Sequence, residues 1–421
     1  MLKRIIKFYY SRYKNTKVGS WLISLRHRGG IFTAIWERLI IPFLTDSEQQ
    51  YKKTGRTLQL FAMSCERSIK LKDALEADVY IAHTIQSIVF AKYIKKDSDS
   101  RLICDVVEHP RLDARLIKSP LASIDIDLLH DIFESNLRKC NHILTVSSSL
   151  SEHLKKYGVP VSVLENYRYK EQVPRSNYLR QKYNLSNDVS LVLCMSTITQ
   201  GFEEVIRALN RLPTSVHLIT LGKFVPKEYL AIVKKAAKDC GVSDRIHFLD
   251  PVPYNELTTV ASSADIGIIV RDPKILNNYI SLPNRVFDYI CSGLPICSPY
   301  MPDIAKIINQ YRLGTVLEGI TEDDWVNGIS NTLANKEEYS QNAKNAANEL
   351  TWESKEPMLM DIIGDAKTVT IFALKDLAKN NRTKRIARTL SKNGISVKIC
   401  GNNTECDDIN DPNITFYQFP S

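Results

Sequence analysis

From Asp78 onward, short apolar runs alternate with stretches of helical spacing. The runs at Val79–Ala82, Leu102–Val107, His142–Val146 and Val161–Leu164 are β-rich and continuous, without a strict apolar–polar alternation. Continuous apolar strands separated by helices predict parallel sheets covered on both faces. A polar, proline-containing stretch, Tyr167–Asn184, interrupts the pattern, which then restarts. Strands are predicted at Ser190–Met195, Val216–Leu221, Ile246–Leu249, Ile266–Val270 and Pro295–Ser298. Helices are predicted at Gly201–Leu209, Pro226–Cys240, Asn255–Ser262, Pro283–Ser292 and Met301–Tyr311. The fold class expected is α/β, with two doubly wound parallel-sheet units joined near residues 165–185.

The C-terminal part breaks this plan. Trp352–Ile363 reads as a helix, and Thr368–Leu374 (TVTIFAL) then starts a fresh strand. A helix follows at Arg382–Asn393, ended by Gly394 in the left-handed capping position. Strands at Ile395–Cys400 and Ile414–Phe419 close a β-α-β-β piece too small to bury both faces of its own sheet. The N-terminal unit, in turn, begins with helices and lacks opening strands. Two readings satisfy this: residues 367–421 complete the N-terminal sheet in a circularly permuted fold, or they open a second, truncated domain. The first is favoured because chain termini usually lie close together.

Composition fits a folded chain, with 44% hydrophobic and 24% charged residues among 421. No apolar run approaches the roughly 18 residues of a membrane span. Nine cysteines without a CxxC pair suit a reducing cytoplasm. The net charge of +9 sits in one place: residues 1–60 hold 12 Lys/Arg against 3 Asp/Glu, and the remainder is balanced. That segment also carries Phe8, Tyr9, Tyr10, Tyr13, Trp21 and Trp36. Basic residues interleaved with aromatics point to an anionic membrane surface. A solvated helical face is the plainer alternative. No helix-turn-helix, zinc-finger or RNA-recognition signature accompanies the charge, so no nucleic-acid partner is expected.

Ser281–Asp303 reads SLPNRVFDYICSGLPICSPYMPD. It resembles the donor-site signature S-L-P-N-K-x-x-E-Y-x-x-x-G-x-P of family-4 glycosyltransferases and their GT-B relatives. Asp244–Pro253, Ser263–Val270 and Thr351–Glu353 resemble neighbouring family segments in order. Ala77–His83, Cys104–Glu108 and Ile143–Ser149 resemble strand ends of the acceptor domain, and Thr368–Cys400 the family's first strand, helix and second strand. The resemblance implies two Rossmann-like domains of the GT-B fold, in permuted order. It implies an acceptor-side domain at 1–166 (basic helices 1–60) completed by 367–421, a donor domain at 185–350 and a crossover helix at 351–366.

The same resemblance assigns a donor site to Ser196, Thr197, Lys223, Phe248, Val252, Ser281, Leu282, Pro283, Asn284, Arg285 and Asp288. Pro283 suits a first helical turn, whose unpaired N–H groups and dipole favour an anion such as a diphosphate. Asp288 stands where the family has a Glu on the ribose hydroxyls, one methylene shorter. The family's cations in the first donor-domain loop are replaced here by Thr197 and Gln200; Lys223, Arg271, Arg382 and Lys384 are the other cations available. Glu108 and His109 are the best candidates for contacting the reacting sugar, with His83 third.

Other chemistries lack their motifs. GxGxxG after a strand, GxxxxGK[ST], HExxH and GxSxG are all missing, and no His/Cys cluster suggests a metal. The expectation is a metal-independent, cytoplasmic glycosyltransferase, peripheral on the inner face of a bacterial plasma membrane. It would move a sugar from a UDP- or GDP-sugar to a glycan or lipid-linked acceptor in surface polysaccharide synthesis, with no cofactor. A catalytically degenerate scaffold and a nucleotide-sugar epimerase are the rival readings.

Overall fold

A computed structural model describes residues 71, 73–84, 87, 88, 91, 99–109, 134–199, 201–374, 376–401 and 408–418. The basic aromatic segment 1–60 and Gln200 lie outside the described residues.

Thirteen strands form two parallel sheets among the described residues. They are β1 (Val79–His83), β2 (Arg101–Val106), β3 (His142–Thr145), β4 (Val161–Val163), β5 (Ser190–Met195), β6 (Val216–Leu221), β7 (Ile246–Leu249), β8 (Ile266–Ile268), β9 (Ile296–Pro299), β10 (Gly314–Leu317), β11 (Thr368–Ala373), β12 (Ser396–Gly401) and β13 (Ile414–Gln418). One sheet has the order β13-β12-β11-β1-β2-β3-β4, the other β10-β9-β8-β5-β6-β7. The chain divides into two compact units. Of the described residues, those up to Asp105, 134–141 and from Ala366 onward form the first; Val106–His109 and His142–Asp365 form the second.

In the first unit, β11 pairs with β1 in parallel, Val79 opposite Val369 through His83 opposite Ala373. All five residues of β1 are buried, so both its faces are covered and its run reads as continuous apolar. The Asp78 carboxylate accepts from the Lys367 and Thr368 amides and the Thr368 hydroxyl, joining the two strand starts. The C-terminal strands thus stand in the same sheet as β1 and β2. Strand order runs outward from β11 through β12 and β13 on one side, and from β1 through β2 on the other.

In the second unit, β5 shows why its run is unbroken: Leu191, Leu193 and Met195 face one core cluster, Val192 and Cys194 another. The Tyr289 ring packs under this sheet, where a Cβ on Gly267 would lie 2.7 Å from it. Its buried hydroxyl accepts from the Met195 amide at 2.9 Å and lies 3.1 Å from the Leu193 carbonyl. β10 and the helices Glu322–Ala334 and Lys336–Ala346 have no counterpart in the sequence expectations. The half-buried Gly314–Leu317 run is short, and the Lys336–Ala346 helix is mostly polar. Thr321 and Asp324 form a reciprocal capping box at the first of these helices. Helix Pro283–Ser292 is found as Arg285–Cys291, seven residues long.

Candidate active site

The loops after β5 and β6 are laced together. Ser196 donates its amide to the Leu221 carbonyl, Ile198 to Lys223, and Val225 back to Ile198. Gly222, at φ 148°, lets the second loop approach so closely that a Cβ would lie 1.8 Å from the Ser196 carbonyl oxygen. Ser196, Thr197 and Lys223 are thereby brought together at the carboxyl ends of adjacent strands, with Thr197 and Lys223 exposed. Phe248 on β7 is half-buried beside Phe224, and its carbonyl accepts the Tyr183 hydroxyl at 3.1 Å. Val252 is half-buried against the core.

The segment from β8 into the Arg285–Cys291 helix holds the strongest electrostatic feature. Arg271 donates from Nη1 to Ser281 Oγ at 2.6 Å, and Ser281 Oγ donates to the Asn278 carbonyl. Burial first, and then the neighbouring Arg285 charge, push the Arg271 guanidinium down to about 10, against the opposing pull of Glu108. Arg285 buries its Nη1 without a hydrogen-bond partner. Two half-buried cations act on each other here, with Glu108 acting on one of them. An anion entering there lowers the energy of both. Leu282 is buried and Pro283 half-buried, while exposed Asn284 accepts from Asn166 Nδ2 at 2.9 Å.

Asp288 is already engaged. It is 6% exposed, and its Oδ1 accepts from Arg168 Nη1 at 2.8 Å. Arg168 also donates to Glu171, and its guanidinium lies 4.5 Å from the Tyr254 ring centre. The Arg168 carbonyl accepts the Trp352 amide at 2.7 Å, which fixes the main chain there. Sequence reasoning missed Arg168 and Tyr254. Arg168 sits in the polar stretch taken for a joint, and nothing local marks it as the partner of a residue 120 positions away.

The three expected catalytic residues fall in different places. Glu108 and His109 belong with the second unit; His109 is 6% exposed, with its ring edge-on to His153 at 5.6 Å. His83, in the first unit, ends β1 and is held by Asp105, with Nδ1 2.7 Å from Oδ2. Among the described residues no three His, Cys, Asp or Glu side chains are grouped to hold a metal ion.

No family model matches the chain, and no curated protein does. Solved structures do match. Anabaena Alr3699/HepE, solved in complex with UDP-glucose, aligns with a TM-score of 0.57 and 14% identity, covering 70% of this chain and 81% of that one. Sucrose-phosphate synthase from Thermosynechococcus elongatus aligns at 0.56 and 12%, over 68% and 73%. A glycosyltransferase from Rickettsia africae aligns at 0.54 and 13%, over 72% and 82%. The chain has the GT-B glycosyltransferase fold. Within this GT-B chain, the helix Phe202–Arg211 that follows β5 is a poor place for an anion. Its first turn carries Glu203 and Glu204, and the Tyr229 hydroxyl takes the Phe202 amide at 3.1 Å. Positive charge in the second unit's GT-B sheet is instead gathered at Arg271 and Arg285, the first after β8 and the second on the Arg285–Cys291 helix.

Proposed function

We propose that this chain transfers a sugar from a nucleoside diphosphate donor to the hydroxyl of a glycan or lipid-linked acceptor. The observation that carries the reading is the Arg271–Arg285 pair, two half-buried arginines close enough for one charge to act on the other, with the buried Nη1 of Arg285 unpartnered. Cleaving an anomeric C–O bond places negative charge on the leaving diphosphate. Fixed cations in a low-dielectric setting stabilise that charge without reorganising. The GT-B fold adds support, since HepE, which shares it, has been solved with UDP-glucose. Phe248 and Val252 offer apolar surface for a base, and Ser281 holds Arg271 in place. The guanidinium pair supplies the counter-charge in this reading, so transfer is expected to survive EDTA. The basic, aromatic segment 1–60 is proposed to bring the chain to an anionic membrane, where lipid-linked acceptors reside.

A non-catalytic GT-B partner is the second reading, favoured by the acidic first turn at Glu203 and Glu204 and by neutral Thr197. Isothermal titration with UDP and with GDP separates the two. Micromolar binding of either, with slow hydrolysis of the matching sugar nucleotide, is the result expected of the enzyme. No heat with either nucleotide overturns it.

A further inference from the structure

In the first unit, the strand order reverses between β11 and β1, and the crevice outside the carboxyl ends of such strands is where open α/β sheets bind ligands. The helix Asn381–Lys392 follows β11 and begins at that end. Its charge runs against the usual pattern. No acidic residue stands in the first turn, while Arg382, Lys384 and Arg385 are each 4–5% exposed. Cations are unfavourable at this end of a helix, where the backbone dipole is already positive. Two carboxylates answer part of the charge. The completely buried Asp105 accepts from Arg382 Nε and Nη2 at 2.7 to 3.0 Å and is 2.7 Å from His83 Nδ1. Asp408 accepts from Lys384 Nζ at 2.9 Å.

Two side chains at the same helix start are buried without a hydrogen-bond partner. Asn380 is the cap residue, 7% exposed, and its Oδ1 accepts the Thr383 amide at 3.2 Å. Only the amide oxygen can accept that bond, so the orientation of the side chain is fixed and Nδ2 is the atom left over. The completely buried Thr383 hydroxyl is left over in the same way. Both groups can donate. Folded proteins seldom leave such donors unsatisfied, because their lost hydration is not recovered. Donors, buried cations and the positive end of a helix together select an anion rich in acceptor oxygens. A phosphate monoester, with three terminal oxygens and nearly two charges, has that chemistry.

We propose that the start of the helix Asn381–Lys392 is a phosphate site, with Asn380 Nδ2 and Thr383 Oγ1 donating to the phosphate oxygens and the cationic first turn supplying the counter-charge. Its ligand is inorganic phosphate or a phosphate monoester. The site lies in the first unit alone. It is separate from Arg271 and Arg285 in the second and does not rest on the sugar-transfer reading.

The test is isothermal titration of the full chain with sodium phosphate and with glucose 1-phosphate at constant ionic strength. Saturable binding of both is expected; equal affinities identify free phosphate as sufficient, and a tighter glucose 1-phosphate identifies an ester. Asn380→Asp keeps an oxygen to cap Thr383 but puts a carboxylate where Nδ2 donates. It should raise the Tm of the free chain and weaken phosphate binding by roughly tenfold or more. Thr383→Val keeps the shape, loses the donor and should weaken binding about fivefold. Absence of saturable binding in the wild type, or wild-type affinity in Asn380→Asp, overturns the site. So does phosphate binding that is lost in Arg271→Met but kept in Asn380→Asp, which would place the anion at the cations of the second unit.

Discussion

Arg271→Met should make the free protein more stable and the liganded protein less so. Partial burial and then the Arg285 charge depress the half-buried wild-type guanidinium to about 10. At 1.36 kcal/mol per tenfold change in proton affinity, a depression of that size corresponds to about 3 kcal/mol of electrostatic penalty. Residual solvent access reduces it, and so does the Ser281 hydrogen bond lost on substitution, itself worth about 1 kcal/mol. A net gain of about 1–2 kcal/mol remains, or roughly 2–8 °C in Tm for a unit of this size. Because the folded value is lowered, the penalty is complete below about pH 10 and is relieved only as pH rises through and above it. The difference between variant and wild type should therefore be constant from pH 6 to 9. Saturating UDP or GDP should raise the wild-type Tm by mass action and leave that of the variant nearly unchanged, since losing a charged contact weakens binding by about 1.5–3 kcal/mol. Differential scanning calorimetry reads both effects. A variant less stable than wild type, or one stabilised by nucleotide as wild type is, would refute the idea that this pair waits for an anion.

Removing residues 367–421 takes β11 from the side of β1 and exposes a strand edge whose five residues are all buried. The truncated chain should be insoluble; a soluble 1–366 fragment with native-like circular dichroism would favour a separate C-terminal domain. Asp288→Ala leaves Arg168 with Glu171 as its remaining carboxylate partner, so urea unfolding should show a loss of about 1–3 kcal/mol. A loss below about 0.5 kcal/mol would mean that Glu171 and water suffice for Arg168. Tyr289→Phe leaves the buried Met195 amide without its acceptor and should cost about 1–3 kcal/mol by the same measurement. Neutralising Lys3, Arg4, Lys7 and Arg12 should lower co-sedimentation with anionic liposomes, and unchanged binding would end the membrane proposal.

The sequence by itself carried β1 to β9 because each is a local pattern, whereas the short helices Tyr178–Tyr183 and Leu276–Tyr279 went unseen. A strand with both faces buried is apolar throughout, and the five-residue β1 and six-residue β5 read that way without any partner in view. The SLPN segment was legible for the same reason, since its chemistry lies in consecutive residues. β10 escaped because it is short and only half-buried. Tertiary structure alone decided who meets whom. Sequence separation exceeds 270 residues between Asp105 and Arg382 and is 120 between Arg168 and Asp288, and neither pair leaves a periodic trace. Ion pairs of this kind depend on which strands lie side by side. That depends on the sum of burial over the whole sheet, a quantity no single window of sequence contains.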